Sequence, residues 1–230
     1  MTEPTLLEKI RRKGLMGIMR LLWARYVYRH DELIWMERAL DVPPPHYPRK
    51  SIWRKELITE AMLPAFDRYF ARYKPGLPAL IRSDSIGDAF LDDDGQVIGM
   101  AWFRTKDYYD DQTYHCWLRL PPGRVYQFAG EVAVPYRGTG MAVLLQRDRW
   151  QTFLQEGFSH TRAVVNMNNQ PALNMHVKFR FEEVGESIHI YCLFNRLNFH
   201  RYSRYDGKRL QHLCKRPSRV GEPPKTEAEP

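Results

Sequence analysis

Residues 132–145 read VAVPYRGTGMAVLL, and the junction inside them decides what kind of chain this is. A β-branched apolar run breaks at Pro135, passes through Arg137-Gly138-Thr139-Gly140, and continues as an apolar sequence with helical spacing. Glycines at a strand-to-helix turn let backbone N–H groups approach an anion closely, with the positive end of a helix dipole behind them. Arg137 adds a charged donor at the helix start. A Walker loop needs G-x-x-x-x-G-K-[ST], and a dinucleotide fingerprint needs a third glycine where Val143 stands. Neither ATP nor NAD is indicated, while a diphosphate fits.

Working outward, a strand is expected over Arg124–Val134, a helix from about Gly138 to Glu156, a strand at Thr161–Met167, a helix at Gln170–Phe179, and extended segments ending near Asn195. Upstream, AFLDDDGQVIGMAWF at residues 89–103 reads as a hairpin turning at Asp94-Gly95. Thr113–Leu120 reads as extended, Ile52–Tyr73 as helical with a break at Pro64, and His30–Leu40 as a first strand. An antiparallel meander followed by strand-helix-strand-helix-strand makes a mixed α/β sheet.

The chain has 230 residues with 43% hydrophobic and 13% aromatic content, enough for one sizeable domain with a buried core. Three widely spaced cysteines without a C-x-x-C pair give neither a disulfide framework nor a zinc site, and no H-E-x-x-H or other metal set is present. With no secretory signal, a reduced cytoplasmic setting is expected. The formal net charge of +8 favours polyanions, anionic headgroups or phosphorylated cofactors as partners. The expected organisation is 1–48 for a basic helix (Thr5–Val27) and first strand, 49–200 for the core, and 201–230 for a basic, proline-rich mobile tail. The basic helix suits an anionic membrane surface, the protein's own core or the partner in a homodimer.

A second motif, NQPALNMHVKFRF at residues 169–181, starts with the helix-capping residue Asn169 and tolerates Pro171 in its first turn. With both motifs in this order, the chain resembles the GNAT N-acyltransferase superfamily over about residues 86–195. The family's coenzyme A loop is Gln or Arg, two residues, Gly, one residue, then Gly or Ala; here Arg137, Gly140 and Ala142 fill those places. The family's later pattern, Asn-x-x-Ala-x-x-x-Tyr-x-Lys-x-Gly-Phe, is matched by Asn169, Ala172, Lys178 and Phe181, with His176 for the tyrosine and Arg180 for the glycine.

The resemblance implies a GNAT-like, mixed and mostly antiparallel twisted sheet with flanking helices and splayed parallel central strands. It implies acetyl-CoA or another acyl-CoA as cofactor, and acetyl transfer to a primary amine by direct attack. Val132, Ala133 and Val134 then present a strand edge to pantetheine, and Arg137, Gly138, Thr139, Gly140, Met141 and Ala142 cradle the pyrophosphate. Asn169 contacts pantetheine, His176 protonates the departing thiolate, and Glu131 accepts the amine's proton directly or through water. The acceptor is a small-molecule or peptide amine, chosen by the stretches Ile52–Pro78 and Asp107–Gly123. Two other functions are compatible with the sequence. One is long-chain N-acyl transfer at a membrane surface, from the basic helix. The other is a non-catalytic CoA-fold module binding a regulatory partner or nucleic acid through NFHRYSRYDGKR at residues 198–209, although no RNA-recognition motif accompanies that stretch.

Overall fold

The computed structural model describes residues 26–44, 52–111 and 113–214, together with positions 14, 16, 17, 19, 22 and 23. Most of the expected Thr5–Val27 helix, and residues 215–230 of the expected tail, lie outside the described residues.

The described residues form ten strands: β1 (Tyr28–Ala39), β2 (Arg54–Leu57), β3 (Ile86–Leu91), β4 (Val97–Arg104), β5 (Tyr108–Asp110), β6 (Cys116–Leu118), β7 (Arg124–Val132), β8 (His160–Asn166), β9 (Glu182–Leu193) and β10 (Leu197–Arg204). The helices are α1 (Asp67–Phe70), α2 (Leu77–Arg82), α3 (Met141–Gln155), α4 (Gln170–Lys178) and α5 (Gln211–Cys214), with short 3₁₀ turns beside α1 and before α3. Eight strands form one sheet in the order β10-β9-β1-β8-β7-β4-β3-β2, and β5 with β6 forms a separate ribbon. Every neighbouring pair in the large sheet is antiparallel except β7 with β8. That parallel pair requires a crossover, which α3 supplies. The architecture is therefore a mixed, mostly antiparallel sheet with flanking helices.

The first strand starts and ends near its expected bounds, but it stands between β8 and β9 rather than beside the β2-β3-β4 meander. Its sequence explains the position. Leu33, Ile34, Trp35 and Met36 are consecutive apolar residues, at most 5% exposed, as in a strand covered on both faces. Ile34 and Met36 enter the core under α3 and α4, whereas Leu33 and Trp35 pack toward the β5-β6 ribbon on the other face.

Two local expectations are corrected. Ile52–Tyr73 is not helical throughout: Arg54–Leu57 pairs with β3 as an edge strand before the 3₁₀ turn Glu60–Phe66 and α1. Residues 197–204, where no strand is expected, form β10 on the opposite edge of the sheet. Six of its eight residues are exposed, so no alternation of apolar and polar side chains announces it. Among the described residues, no helix is long and apolar enough to cross a membrane.

Candidate active site

The two parallel strands meet only at their beginnings. Arg124, Val125 and Tyr126 pair with His160, Thr161 and Arg162, and there the ladder stops. Each strand goes on with its outer neighbour: β7 follows β4 as far as Val132, and β8 follows β1 as far as Asn166. The separation has a local cause. Trp102 faces Phe128 while Met100 faces Glu131, so β7 carries one extra residue between those pairs. Ala129 absorbs it at φ +46°, a β-bulge that bends the strand. The opening is a cavity of about 90 Å³ between Gln127–Gly130 of β7 and Ala163–Val164 of β8, backed by Gln146, Met175 and His176.

Past the gap, β7 runs into a 3₁₀ turn at Val134–Tyr136 and then the glycine loop. Gly138 has φ +80° and Gly140 φ +81°, in the left-handed region that other residues enter only at a cost. Gly140 precedes α3 without any side-chain cap, and a Cβ at Gly138 would meet nothing within 4 Å. The amides of Gly138, Gly140, Met141 and Ala142 donate to no backbone carbonyl among the described residues, leaving N–H groups at the positive end of a 15-residue helix. The loop is braced by Thr139 Oγ1, which donates to the Tyr136 carbonyl at 2.7 Å.

The strand-edge residues have unequal surroundings. Ala133 donates its amide to Ile98 of β4 at 2.8 Å, so alternation turns the peptide groups of Val132 toward the gap. The Val132 carbonyl accepts from Arg137 Nε at 3.2 Å. Val134 is 71% exposed and already in the turn. Arg137 also brings Nη2 to 3.9 Å from Glu131 Oε2.

Glu131 lies on the opposite face of β7 from Val132, which packs under α3. There Tyr73 Oη donates to Glu131 Oε1 at 2.7 Å, and Arg72 Nη2 stands 3.5 Å from the same oxygen. Burial first, and this bond second, raise the Tyr73 pKa, so the phenol keeps its proton. Asn169 is exposed and caps α4, its Oδ1 accepting from the Ala172 amide at 3.2 Å. His176, two turns along, is 8% exposed. Its Nδ1 donates to the Ala172 carbonyl at 2.8 Å, and since a carbonyl only accepts, Nε2 of the neutral ring carries the lone pair. Burial lowers the His176 pKa, against a smaller opposing effect of that bond. The resting ring is neutral.

Sequence reasoning missed a chain of amides behind the cavity. Trp150 Nε1 donates to Gln127 Oε1 at 3.0 Å, Thr161 Oγ1 donates to the same oxygen at 3.2 Å, and Gln127 Nε2 donates to Gln146 Oε1 at 2.9 Å. All four residues are buried. The sequence holds one hint: Gln146 interrupts a stripe of Val143, Trp150 and Phe153 on the inward face of α3, where a polar residue calls for a partner. Tyr73, which holds Glu131, carries no such signal.

No family model and no curated protein matches the sequence. The fold has solved counterparts. A protein of unknown function from Staphylococcus epidermidis ATCC 12228 superposes with a TM-score of 0.53 at 10% identity, over 84% of this chain and 82% of its own. A Drosophila protein gives a TM-score of 0.51 at 12% identity, over 78% and 57%. A tandem GNAT protein from the clavulanic acid biosynthesis pathway gives 0.50 at 12% identity, over 78% and 59%. This chain thus spans less than two thirds of the latter two, and at these identities the likeness is one of fold.

Proposed function

Given that this chain has the GNAT fold, we propose that it is an acyl-CoA-dependent N-acyltransferase that moves an acetyl group from acetyl-CoA to a primary amine by direct attack. The observation that carries this reading is a parallel strand pair that parts and then runs straight into a loop of open amides. Unpaired peptide groups at the gap suit the amides of a pantetheine arm, and N–H groups at a helix start suit a diphosphate. In this reading Arg137, Gly138, Thr139, Gly140, Met141 and Ala142 hold the pyrophosphate. Val132 serves the arm with its neighbours Ala133 and Val134, and Asn169 meets it with the amide nitrogen that capping leaves over.

The chemistry divides between the two faces of the sheet. Glu131, oriented by Tyr73, attracts the ammonium form of the acceptor and takes its proton directly or through water. His176 works from the other face with a neutral ring. An imidazolium present from the start is disfavoured by burial. The lone pair on Nε2 instead takes a proton from the nitrogen as it bonds to the carbonyl carbon, then passes that proton to sulfur as the carbon–sulfur bond breaks. The products are an amide and the free thiol. A cavity of about 90 Å³ is far below the roughly 300–1,000 Å³ of sites for drug-sized ligands, which favours acetyl over a long chain.

Isothermal titration with acetyl-CoA tests the reading. Saturable binding is expected, weakened roughly 10- to 100-fold by Arg137→Glu, since a charge-assisted contact is lost and a like charge meets the diphosphate. A panel of amines screened for release of free thiol then identifies the acceptor class. No binding by well-folded protein at millimolar acetyl-CoA overturns the reading.

A further inference from the structure

The buried amide chain has a direction, and the direction ends in the cavity. An indole N–H donates and never accepts, so the oxygen of the Gln127 carboxamide faces Trp150. The nitrogen of Gln127 then faces the oxygen of Gln146. That leaves the Gln146 NH₂ group pointing the other way, 3.9 Å from where a Cβ on residue 130 would sit. Residue 130 is a glycine at the bulge, so no side chain there intrudes on the amide. Gln146 is only 3% exposed and lines the cavity; among the described residues its one hydrogen bond is the one its oxygen accepts from Gln127, and its Nε2 donates to none. A donor set on the wall of a cavity, and held there by a partner on the other side of its amide, is placed to stabilise charge that appears only during reaction.

We infer that Gln146 Nε2 is the side-chain donor to the carbonyl oxygen of the acyl group, resting on the acyltransferase reading above. As the amine nitrogen bonds to the carbonyl carbon, the π electrons move onto oxygen, where the Gln146 N–H holds them. They return as the carbon–sulfur bond breaks and the sulfur takes the proton. Gln127, Trp150 and Thr161 touch no reacting atom. They are positioning residues that keep the Gln146 nitrogen, rather than its oxygen, toward the acyl group.

The test uses the whole chain and [1-¹³C]acetyl-CoA. In the wild type the carbonyl ¹³C resonance is expected to move downfield on binding, because the donor polarises the bond. In Gln146→Met, which keeps side-chain length, that shift is expected to vanish, and kcat to fall by about 10² or more, the cost of losing one such donor. The affinity for free CoA, which has no acyl carbonyl, is expected to stay the same. An unchanged shift and kcat in Gln146→Met overturn the inference. So does an equal loss of free-CoA affinity, which would assign the amide to the pantetheine arm. Failure of the wild type to bind acetyl-CoA at all overturns the acyltransferase reading, and this inference with it. Should Gln146→Met not fold, Trp150→Phe removes the orienting N–H while keeping an aromatic ring. A reduced downfield shift is then expected, and an unaltered one overturns the inference.

Discussion

His176 shows how much depends on one proton. The ring is buried beside Phe181, with ring centroids 5.0 Å apart, and among the described residues its one hydrogen bond is to the carbonyl one turn back in its own helix. With no carboxylate among the causes of its shift, the bond to Ala172 offsets only part of the cost of charging it, and the native state holds the proton less tightly than the unfolded chain does. The linkage has a definite sign. Above the ordinary histidine value of about 6.5 both states are neutral and His176 leaves stability independent of pH. Below it the unfolded chain takes up a proton first, so stability falls as pH drops, until the lowered native pKa is passed. Denaturant titrations of wild type and His176→Phe between pH 8 and pH 5 check this. The stability difference should be flat above pH 7, and the wild type should then lose ground as pH falls, at a slope of at most about 1.4 kcal/mol per pH unit. Parallel profiles would show that the ring is not held neutral. On the proposed acyltransferase reading the same sign carries into catalysis: a neutral acceptor at Nε2 should make turnover rise with pH through the native pKa.

At the scale of the element, the end of α4 explains a departure from the usual glycine. Phe181 N donates to the His176 carbonyl at 2.9 Å and Arg180 N to that of Val177 at 3.0 Å, the paired bonds of a Schellman cap. The cap needs a left-handed residue, and Arg180 supplies it at φ +64°. Arg38 pins the same end by donating from Nε to the Phe179 carbonyl at 2.9 Å, its guanidinium lying 4.3 Å above the Trp150 ring. Burial, and then the charge of Arg180, lower the Arg38 pKa to about 10. Arg180→Gly should therefore relieve both a backbone strain of about 1–2 kcal/mol and a like-charge repulsion. Set against a loss of about 0.5–1 kcal/mol from the freedom glycine adds to the unfolded chain, the net gain is about 1 kcal/mol, or about 2–4 °C in Tm. Differential scanning calorimetry reads it, and a lower Tm would mean that the guanidinium makes a contact worth more than the strain. Elements of this kind were legible in the sequence because their signals are local: the capping Asn169, the Asp94-Gly95 turn, and the glycine loop between two hydrophobic periods. β2 and β10 were not, since an edge strand with exposed side chains carries no periodicity to read. Gln146 looked like one polar residue on an apolar face until folding brought α3, β7 and β8 together around it, and the same convergence sets the protonation of His176.

At the scale of the whole molecule, the decisive feature is where the N-terminal strand goes. β1 pairs with β8 through seven residues, from Leu33 to Ala39, and with β9 along its other edge. No local pattern announces such a placement, because the partners lie more than a hundred residues away and are chosen by burial of both faces. The site depends on it. With β7 parted from β8 beyond Tyr126, β8 is held in place along the gap by β1, so the cavity wall at Ala163 and Val164 is braced through Met36 and Trp35. Leu33, Ile34 and Met36 are 0% exposed, and at about 1.5–3 kcal/mol each they contribute about 5–9 kcal/mol. That matches the whole stability of a typical domain, about 5–15 kcal/mol. Residues ahead of the strand stand differently, since Met16, Met19, Leu22 and Trp23 are each more than 50% exposed. A chain lacking residues 1–25 should thus keep a cooperative urea transition and, on the proposed reading, bind acetyl-CoA as the full chain does. A chain lacking residues 1–40 should lose both, with β8 and β9 left without the strand that joins them. Retention of a cooperative transition by the shorter chain would mean that β8 and β9 close directly on each other, and that β1 is an addition to the fold rather than the brace of its candidate site.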